Sequence, residues 1–354
     1  MNVFSNHFMK ISTINKTKIP SFGIRIKSHI ESSNINLDGI LPITTPTKPP
    51  WQLTNPEFIF DLRQHKKSET NEVIIQQHYA EIKSHFPNFY TVYTDGSKDG
   101  DRVAAAAVLG KEAATERLPS EASIFTAEAT AILLALSIID ESTKTKFIIC
   151  SDSLSCLLAI KNHRFKNTLI YHIISLIDRL KTFNKEIVFL WVPSHVGIQG
   201  NTIVDRVAKE ALDDELSNCK IPYTDFKPLI RKYIFNLWND IWSSLEQNKL
   251  HEIKPNLDQS KVIYHNRKDQ VVTTRCQIGH SRVTHDYLPK NEPRPICIPC
   301  DCAFTIKHIL IDCIDFADIR RKYYNVTNMF DLFKTTPTDN ILNFLKEINL
   351  YHKI

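Results

Sequence analysis

Residues 89–98, FYTVYTDGSK, open the most regular part of this sequence. The first six letters, FYTVYT, are aromatic or β-branched, which is typical of a strand, and Asp95 follows them directly. A second apolar run, Arg102–Leu109, begins just after a turn at residues 98–100, and residues 111–118 continue as a third strand. The sequence therefore predicts an antiparallel meander, with a carboxylate where its first strand ends.

Downstream of the meander, strands alternate with helices. An Ala/Leu-rich run at residues 126–139 predicts a helix, and apolar runs at residues 146–150 and 186–191 predict two further strands. Three more helices are predicted at residues 153–162, 168–182 and 201–212. Strands that come first in succession and then alternate with helices imply a mixed sheet, so we predict an α/β fold with five strands.

Four acidic side chains stand where this pattern makes them unusual. Asp95 and Asp152 each end a strand, the edge at which open α/β sheets place ligands. Glu128 lies in the first turn of an apolar helix, and Asp205 lies one turn into the last one. Singly, each could be a turn residue, a helix cap or a solvated position. Four like charges at one edge would instead require divalent cations, and oxygen ligands suit Mg²⁺ or Mn²⁺ in phosphodiester hydrolysis.

The loop before the last helix reads WVPSHVGIQGN, residues 191–201. Gly197 and Gly200 allow a tight approach to the helix that carries Asp205. His195 stands on this loop rather than on an apolar core face. We therefore expect His195 to transfer a proton to the leaving group or to help release product, the alternative being a structural histidine.

These blocks together resemble a known family. YTDGSK (93–98), TAEATAILLAL (126–136), SDSLSCLLAI (151–160) and SHVGIQGNTIVDRVAKEA (194–211) are similar to the four signature blocks of type 1 ribonuclease H. The resemblance implies a ribonuclease H-like five-stranded mixed sheet with helices on both faces, and hydrolysis of the RNA strand of RNA–DNA hybrids with two Mg²⁺ or Mn²⁺ ions. It assigns metal-binding and catalytic roles to Asp95, Glu128, Asp152 and Asp205, and a catalytic role to His195. Thr202 and Val204 depart from the family pattern, at positions that are not metal ligands.

Contacts to the nucleic acid are expected from the first block and from a basic run that follows the helix at residues 153–162. The candidates are Ser97, Lys161, Arg164 and Lys166. A solvated basic face is the structural alternative. Residues 89–213 carry 14 basic and 15 acidic side chains, so the net charge of +5 lies in the flanks. A near-neutral core with basic surroundings is compatible with a polyanionic substrate, but charge alone does not decide.

A Cys/His cluster lies late in the chain, as Cys297-x2-Cys300-x7-His308-x4-Cys313. Four such ligands at short spacing predict a structural Zn²⁺ site resembling a zinc knuckle. Cys302 is an alternative ligand. Free buried thiols are the other interpretation.

The resemblance extends beyond the nuclease. The lead-in PPW followed by DLRQHKKSET, the nuclease and the late cluster resemble the C-terminal part of Jockey-like non-LTR retrotransposon polyproteins, in which a reverse transcriptase precedes ribonuclease H. A polymerase signature needs an aromatic residue, one further residue and paired aspartates. The adjacent pair Asp213-Asp214 instead follows Ala211-Leu212 at a helix end, so this signature is lacking. We expect a fragment, a truncated copy or a derived host gene, with an RNA–DNA hybrid and a reverse transcriptase supplied elsewhere as partners. The alternative is a catalytically silent nucleic-acid-binding module.

Four regions are predicted along the chain. They are an irregular lead-in with one helix (1–88), a ribonuclease H domain (89–213), a helical connector (214–272) and a Cys/His-containing C-terminal region (273–354). The longest apolar stretch, residues 131–139, is too short to span a bilayer, and no secretory signal is evident. We expect an intracellular protein of the nucleus or cytoplasm without a membrane partner.

Overall fold

The structure is a computed structural model and describes residues 22–33, 36–43, 48–163, 167–245, 248–257 and 266–354. The chain divides into two units, one ending at Arg231 and the other beginning at Lys232. The region boundaries expected at residues 88, 213 and 272 stay predictions. No helix in the described ranges is long and apolar enough to cross a membrane.

A six-stranded mixed sheet organises the first unit. Its strands are β1 (Glu57–Ile59), β2 (Tyr90–Asp99), β3 (Arg102–Leu109), β4 (Glu112–Leu118), β5 (Lys146–Ser151) and β6 (Glu186–Trp191). Their order is β1-β6-β5-β2-β3-β4, parallel from β1 to β2 and antiparallel from β2 to β4. The mixed sheet is confirmed, with one strand more than expected. That strand, β1, is three residues long, too short for any residue period to reveal it.

Helices cover both faces of this sheet. The helices that begin in the first unit are α1 (Phe22–Ser32), α2 (Glu72–Ser84), α3 (Ile124–Glu141), α4 (Leu154–Lys161), α5 (Thr168–Thr182), α6 (Gln199–Glu210) and α7 (Tyr223–Ser244). Successive residues of β5 alternate between the faces. Phe147 and Ile149 are buried with residues of α3, α4 and α5, whereas Ile148 and Cys150 are buried with Ile75 of α2. Apolar burial on both sides holds the parallel strands in place.

Helix α3 begins at Ile124 because Ser123 caps it, and the Ser123 side chain accepts a hydrogen bond from Thr126 N. The Asp225 carboxylate accepts hydrogen bonds from Ser123 N at 3.0 Å and Ser123 Oγ at 3.2 Å. Since α3 starts earlier than the sequence suggested, Glu128 lies in its second turn and not in its first. Both caps fix the end of α3 that carries Glu128.

The second unit is mostly helical. Its helices are α8 (Arg267–Ile278), α9 (Arg282–His285), α10 (Tyr287–Lys290), α11 (Ala317–Tyr323), α12 (Met329–Thr335) and α13 (Thr338–Glu347), with a π-helix at His308–Asp312. A two-stranded hairpin joins β7 (Ile296–Cys297) to β8 (Cys302–Ala303). Residues of α8, α13 and the π-helix share one apolar core, in which Ile309, Leu310 and Phe344 are fully buried.

Short 3-10 helices occupy connecting segments of both units. They are Leu37–Gly39, Pro50–Gln52, Asp61–Gln64, Ala211–Asp213 and Lys249–Glu252. The first three of these lie in the lead-in at 1–88, together with β1, α1 and α2. The expectation of one helix in an otherwise irregular lead-in was therefore wrong. Leu62, within Asp61–Gln64, is fully buried in the core cluster that also contains Ile75. The lead-in therefore packs against the sheet.

Replacing Gly96 by alanine is expected to destabilise the first unit. A Cβ at this position would lie 2.6 Å from Glu128 N and 2.9 Å from the carbonyl carbon of Ala127, so α3 would have to move away from β2. We expect the free energy of unfolding to fall by about 1–3 kcal/mol, measured by urea denaturation. Gly23→Ala is the control. It should not lower the free energy of unfolding, because a Cβ there meets nothing within 4 Å. Equal stability of Gly96→Ala and the parent would contradict the close contact.

Candidate active site

The register between β2 and β5 brings Asp95 next to Asp152. The last parallel pair joins Thr94 to Ser151, so the two aspartates are the next residues along the two chains. β2 continues past this point to Asp99 by pairing with β3. The expectation that the strand ends at Asp95 was wrong, because pairing with β3 overrides the low strand propensity of the GSKD segment.

Gly96 places Glu128 above this pair. Because Gly96 has no side chain, the backbone of α3 approaches β2 at Ala127 and Glu128 more closely than any other residue would permit. One oxygen from each of Asp95, Glu128 and Asp152 lies within 4.8 Å of the others. The structure thus gathers three of the four predicted carboxylates.

Asp205 lies near this cluster but outside it. Its Oδ2 accepts a hydrogen bond from Lys209 Nζ at 2.7 Å, one turn further along α6. Its charge still raises the pKa of both Asp95 and Asp152, so it lies within electrostatic range of them. The ion pair is of the common i,i+4 helical kind, and Lys209 stays largely exposed. The fourth carboxylate therefore lies near the other three, and the Lys209 ammonium group that pairs with it is accessible to solvent.

Burial and like charge raise the pKa values of the three gathered carboxyl groups. Burial, followed by the charges of Asp152 and Asp205, raises the pKa of Asp95 to about 8. The pKa of Glu128 is raised well above its usual value by burial and then by Asp152 and Asp95. Burial also raises the pKa of Asp152, against a hydrogen bond from Asn201 and the positive charge of His195. The cluster therefore favours bound protons or bound cations at neutral pH.

One oxygen of the cluster has no partner. Glu128 Oε2 is buried and accepts no hydrogen bond within the described part of the chain. A buried carboxylate oxygen that lacks a donor, next to two further carboxylates, is suited to a cation. All the ligand atoms that these three carboxylates offer are oxygens, which fits Mg²⁺ or Mn²⁺ and not a metal that prefers thiolate ligands. The residues present fit a divalent-cation site.

His195 lies on the exposed side of the loop between β6 and α6. Its φ is 53°, in the left-handed region, and the loop is fixed on either side by the buried residues Val192, Val196 and Ile198. The positive charge of His195 contributes to lowering the pKa of Asp152, which places the imidazole near the carboxylates. An exposed imidazole beside the cluster can exchange protons with solvent and with a bound substrate.

Two residues at the site were not predicted. Asn201, at the start of α6, is buried and lies close enough to Asp152 for its side-chain amide to lower the pKa of that carboxyl. Trp191 Nε1 donates to the backbone oxygen of Asp152 at 2.9 Å. Both residues belong to the loop segment at 191–201 that the sequence analysis singled out, so their positions were visible while their partner was not.

The expected nucleic-acid contacts are only partly described. Ser97 lies on β2 two residues after Asp95, hence on the same face of the sheet. Lys161 ends α4, and its Nζ lies 5.0 Å from the centre of the Phe60 ring. Arg164 and Lys166 lie outside the described residues. The roles of all four stay predictions.

The late cysteines form a second cluster. Cys297, Cys300, His308 and Cys313 each place one ligand atom within 4.8 Å of the others. Cys313 Sγ lies 3.8 Å from Cys297 Sγ and 3.9 Å from Cys300 Sγ. Backbone hydrogen bonds from Ile314 and other groups lower the pKa of Cys300, which favours a thiolate. The set contains the four residues expected to bind Zn²⁺.

The alternative ligand, Cys302, lies beside this set. It faces Cys297 across the β7–β8 hairpin, and its Sγ lies 3.3 Å from His308 Nδ1. It is not a member of the mutually close group of four. The geometry favours Cys297 and Cys300 as the hairpin ligands, with Cys302 next to the histidine.

The stability of the metal-free protein should depend on pH through the carboxylate cluster. The folded-state pKa of Asp95 is raised to about 8, so between about pH 4 and about pH 8 the folded chain binds more protons than the unfolded chain. Stability should therefore fall as pH rises through this window, by at least about 1 kcal/mol. Thermal unfolding in EDTA measures it, and Asp95→Asn should flatten the dependence. Parallel curves for parent and variant would contradict the raised pKa.

Part of the chain is similar to a known family. Residues 87–213 match the family model described as RNase H. No curated protein matches the sequence. Among solved structures, RNase H1 from the halophilic archaeon Halobacterium salinarum is 21% identical, with a match that covers 36% of this chain and 98% of that one at a TM-score of 0.31. The family match, which spans the sheet from β2 to β6 and its carboxylate cluster, identifies residues 87–213 as a ribonuclease H domain, an enzyme domain.

Proposed function

We propose that this chain hydrolyses the RNA strand of RNA–DNA hybrids, with two Mg²⁺ or Mn²⁺ ions as cofactors. The observation that carries the proposal is the meeting of Asp95, Glu128 and Asp152 at one edge of the ribonuclease H sheet, where Glu128 Oε2 lacks a partner. Divalent cations held there would supply the positive charge that in-line displacement at a phosphodiester requires. The hybrid, with its wide minor groove and 2′-hydroxyls on one strand, is the substrate that the family implies.

The residues of the site divide the work. Asp95, Glu128 and Asp152 would hold the cations, and the Asn201 amide would orient the neighbouring Asp152 carboxylate. Asp205 is the fourth ligand of the proposal, and Lys209 neutralises it in the absence of cations. The first three carboxylates are already gathered, so ligand ordering costs little entropy when cations bind.

Proton transfer and substrate contact fall to residues around the cluster. His195 gives a proton to the leaving oxygen, since it is exposed and lies near Asp152. Ser97 shares the face of Asp95 on β2 and is placed to contact the nucleic acid. Lys161, together with Arg164 and Lys166, is proposed to hold backbone phosphates as point charges.

The decisive variant is Asp152→Asn, which removes one cluster charge and keeps the side-chain shape. With Mg²⁺, we expect the parent to cleave labelled RNA only within a hybrid, and Asp152→Asn to be slower by at least about a hundredfold. Asp101→Asn, an exposed carboxylate in the β2–β3 turn, is the matched control and should cleave like the parent. A folded parent that binds the hybrid without cleaving it would favour the catalytically silent module instead.

The second part of the proposal is a structural Zn²⁺ ion on Cys297, Cys300, His308 and Cys313. Three sulfurs and one imidazole nitrogen form the usual four-ligand set for zinc. His308 is buried and begins the π-helix, whose Ile309 and Leu310 lie in the core of the second unit. An ion at this point would join the β7–β8 hairpin to that core.

Zinc content tests this assignment. We expect the purified parent to hold about one zinc per chain by elemental analysis, and His308→Ala to lose it. Cys302→Ser is the matched variant, since it removes a neighbouring thiol outside the group of four and should keep the metal. Loss of zinc in Cys302→Ser with retention in Cys297→Ser would assign the ligands differently. A zinc-free parent would leave the free-thiol interpretation.

The origin and setting of the chain complete the proposal. We propose a source in a Jockey-like non-LTR retrotransposon, supported by the order of lead-in, nuclease and Cys/His cluster along the sequence. A reverse transcriptase supplied elsewhere would then produce the hybrid on which this chain acts, in the nucleus or cytoplasm. Co-purification of a polymerase of that class with the tagged chain from its own cells would support the partnership.

A further inference from the structure

Helix α2 lies outside the family match at 87–213 and contacts the loop that carries His195. We propose that Gln76 of this helix is a positioning residue, which holds the loop so that His195 faces the carboxylates. The inference rests on the proposed function, because it assigns Gln76 a part in the nuclease reaction. It also predicts a change in loop mobility that is measured without substrate.

The helix itself is firmly placed. Ile75 and Ile82, two turns apart on one face of α2, are buried in the same core cluster as Val196 and Ile198 of the loop. Asn71 caps the helix by accepting a hydrogen bond from Val73 N. The side chain of Gln76 therefore projects from a rigid stretch of backbone, as a positioning residue requires.

Gln76 itself contacts the loop through one hydrogen bond from its side chain to the loop backbone. Gln76 Nε2 donates to Val196 O at 2.9 Å, and Val196 directly follows His195. The Gln76 amide also lies so close to Gly197 that a Cβ there would collide with it. Gly197 has a φ of +72° and His195 a φ of 53°, so two nearby residues adopt the left-handed conformation. Such a loop needs outside contacts to stay in one conformation.

The same helix also contacts the strand that carries Asp95. Tyr79, three residues after Gln76, lies 2.6 Å from Tyr93 by their hydroxyl oxygens, and Tyr93 precedes Asp95 by two residues on β2. The Tyr93 ring in turn lies against Gly200, where a Cβ would collide with it. α2 is therefore hydrogen-bonded to the strand of Asp95 and to the loop of His195.

These contacts lie along an open surface pocket of about 460 Å³, lined by Gln76, Tyr79, Tyr93, Gly197 and Gly200 among others. Apolar packing of Ile75 and Ile82 holds α2 against the loop, and the Gln76 hydrogen bond fixes the loop backbone at Val196 in addition. Loss of the Gln76 bond would leave the carbonyl oxygen of the buried Val196 without its donor. The loop would then sample more conformations, and His195 would face the carboxylates for less of the time.

The experiment compares Gln76→Leu with Gln77→Leu in the full chain. Gln77 is the exposed neighbour on the same helix, so it controls for propensity and for added apolar surface. We expect Gln76→Leu to lower kcat on the hybrid by about fivefold, the equivalent of one hydrogen bond, with KM within about twofold of the parent. Amide exchange in peptides covering residues 193–198 should be faster in Gln76→Leu alone.

A double-mutant cycle separates positioning from general stability. In a His195→Ala background, Gln76→Leu should change kcat by less than about 1.5-fold, because the group it positions is gone. A fivefold loss that persists there, a rise in KM with unchanged kcat, or unchanged exchange at 193–198 would each overturn the inference. If the parent cleaves the hybrid and any of these three results is obtained, the positioning role fails and the proposed function is still supported. A folded parent that never cleaves hybrid overturns the proposed function, and the positioning role with it.

Discussion

The backbone of α3 rests on the backbone of β2 at Gly96, and the candidate site depends on this contact. Small residues continue the close packing on either side, since Ala127 and Ala131 of α3 share a buried cluster with Ala105 of β3. Small side chains bury less apolar area than larger ones would, but they allow a shorter distance between helix and sheet. The short distance is what brings Glu128 to the edge where β2 and β5 place their aspartates.

That arrangement works against the stability of the metal-free fold. Two buried carboxylates and the half-buried Asp152 lie within a few ångströms of one another, and their raised pKa values express the cost of charging them there. The sheet tolerates the cost because apolar side chains bury both faces of β5 and β6, among them Phe147 and Phe189. Divalent cations would replace the bound protons, supply the partner that Glu128 Oε2 lacks and turn mutual repulsion into ligation. Binding the cofactor and stabilising the fold are then one process.

Much of this was predictable from local sequence, and the remainder depends on contacts between distant residues. α5 and β6 have the predicted bounds, because each carries a strong helical or strand-like pattern within its own residues. The ion pair of Asp205 with Lys209 could have been found, since their spacing of four is visible in the sequence. The bond from Gln76 to Val196 could not, because 120 residues separate the two and neither lies in a pattern that implies the other. The position of Asn201 against Asp152 is of the same kind.

The family match at 87–213 is shorter than the folded unit around the site. Two backbone groups of the site's own elements, Ser123 N at the start of α3 and Val196 O in the His195 loop, are satisfied by side chains from outside the match, Asp225 and Gln76. Backbone groups near helix ends and in loops need such partners when water does not reach them. One of these side chains fixes the helix of Glu128 and the other the loop of His195, so each flank holds one side of the site. The unit that positions the nuclease residues therefore includes α2 before the match and the start of α7 after it.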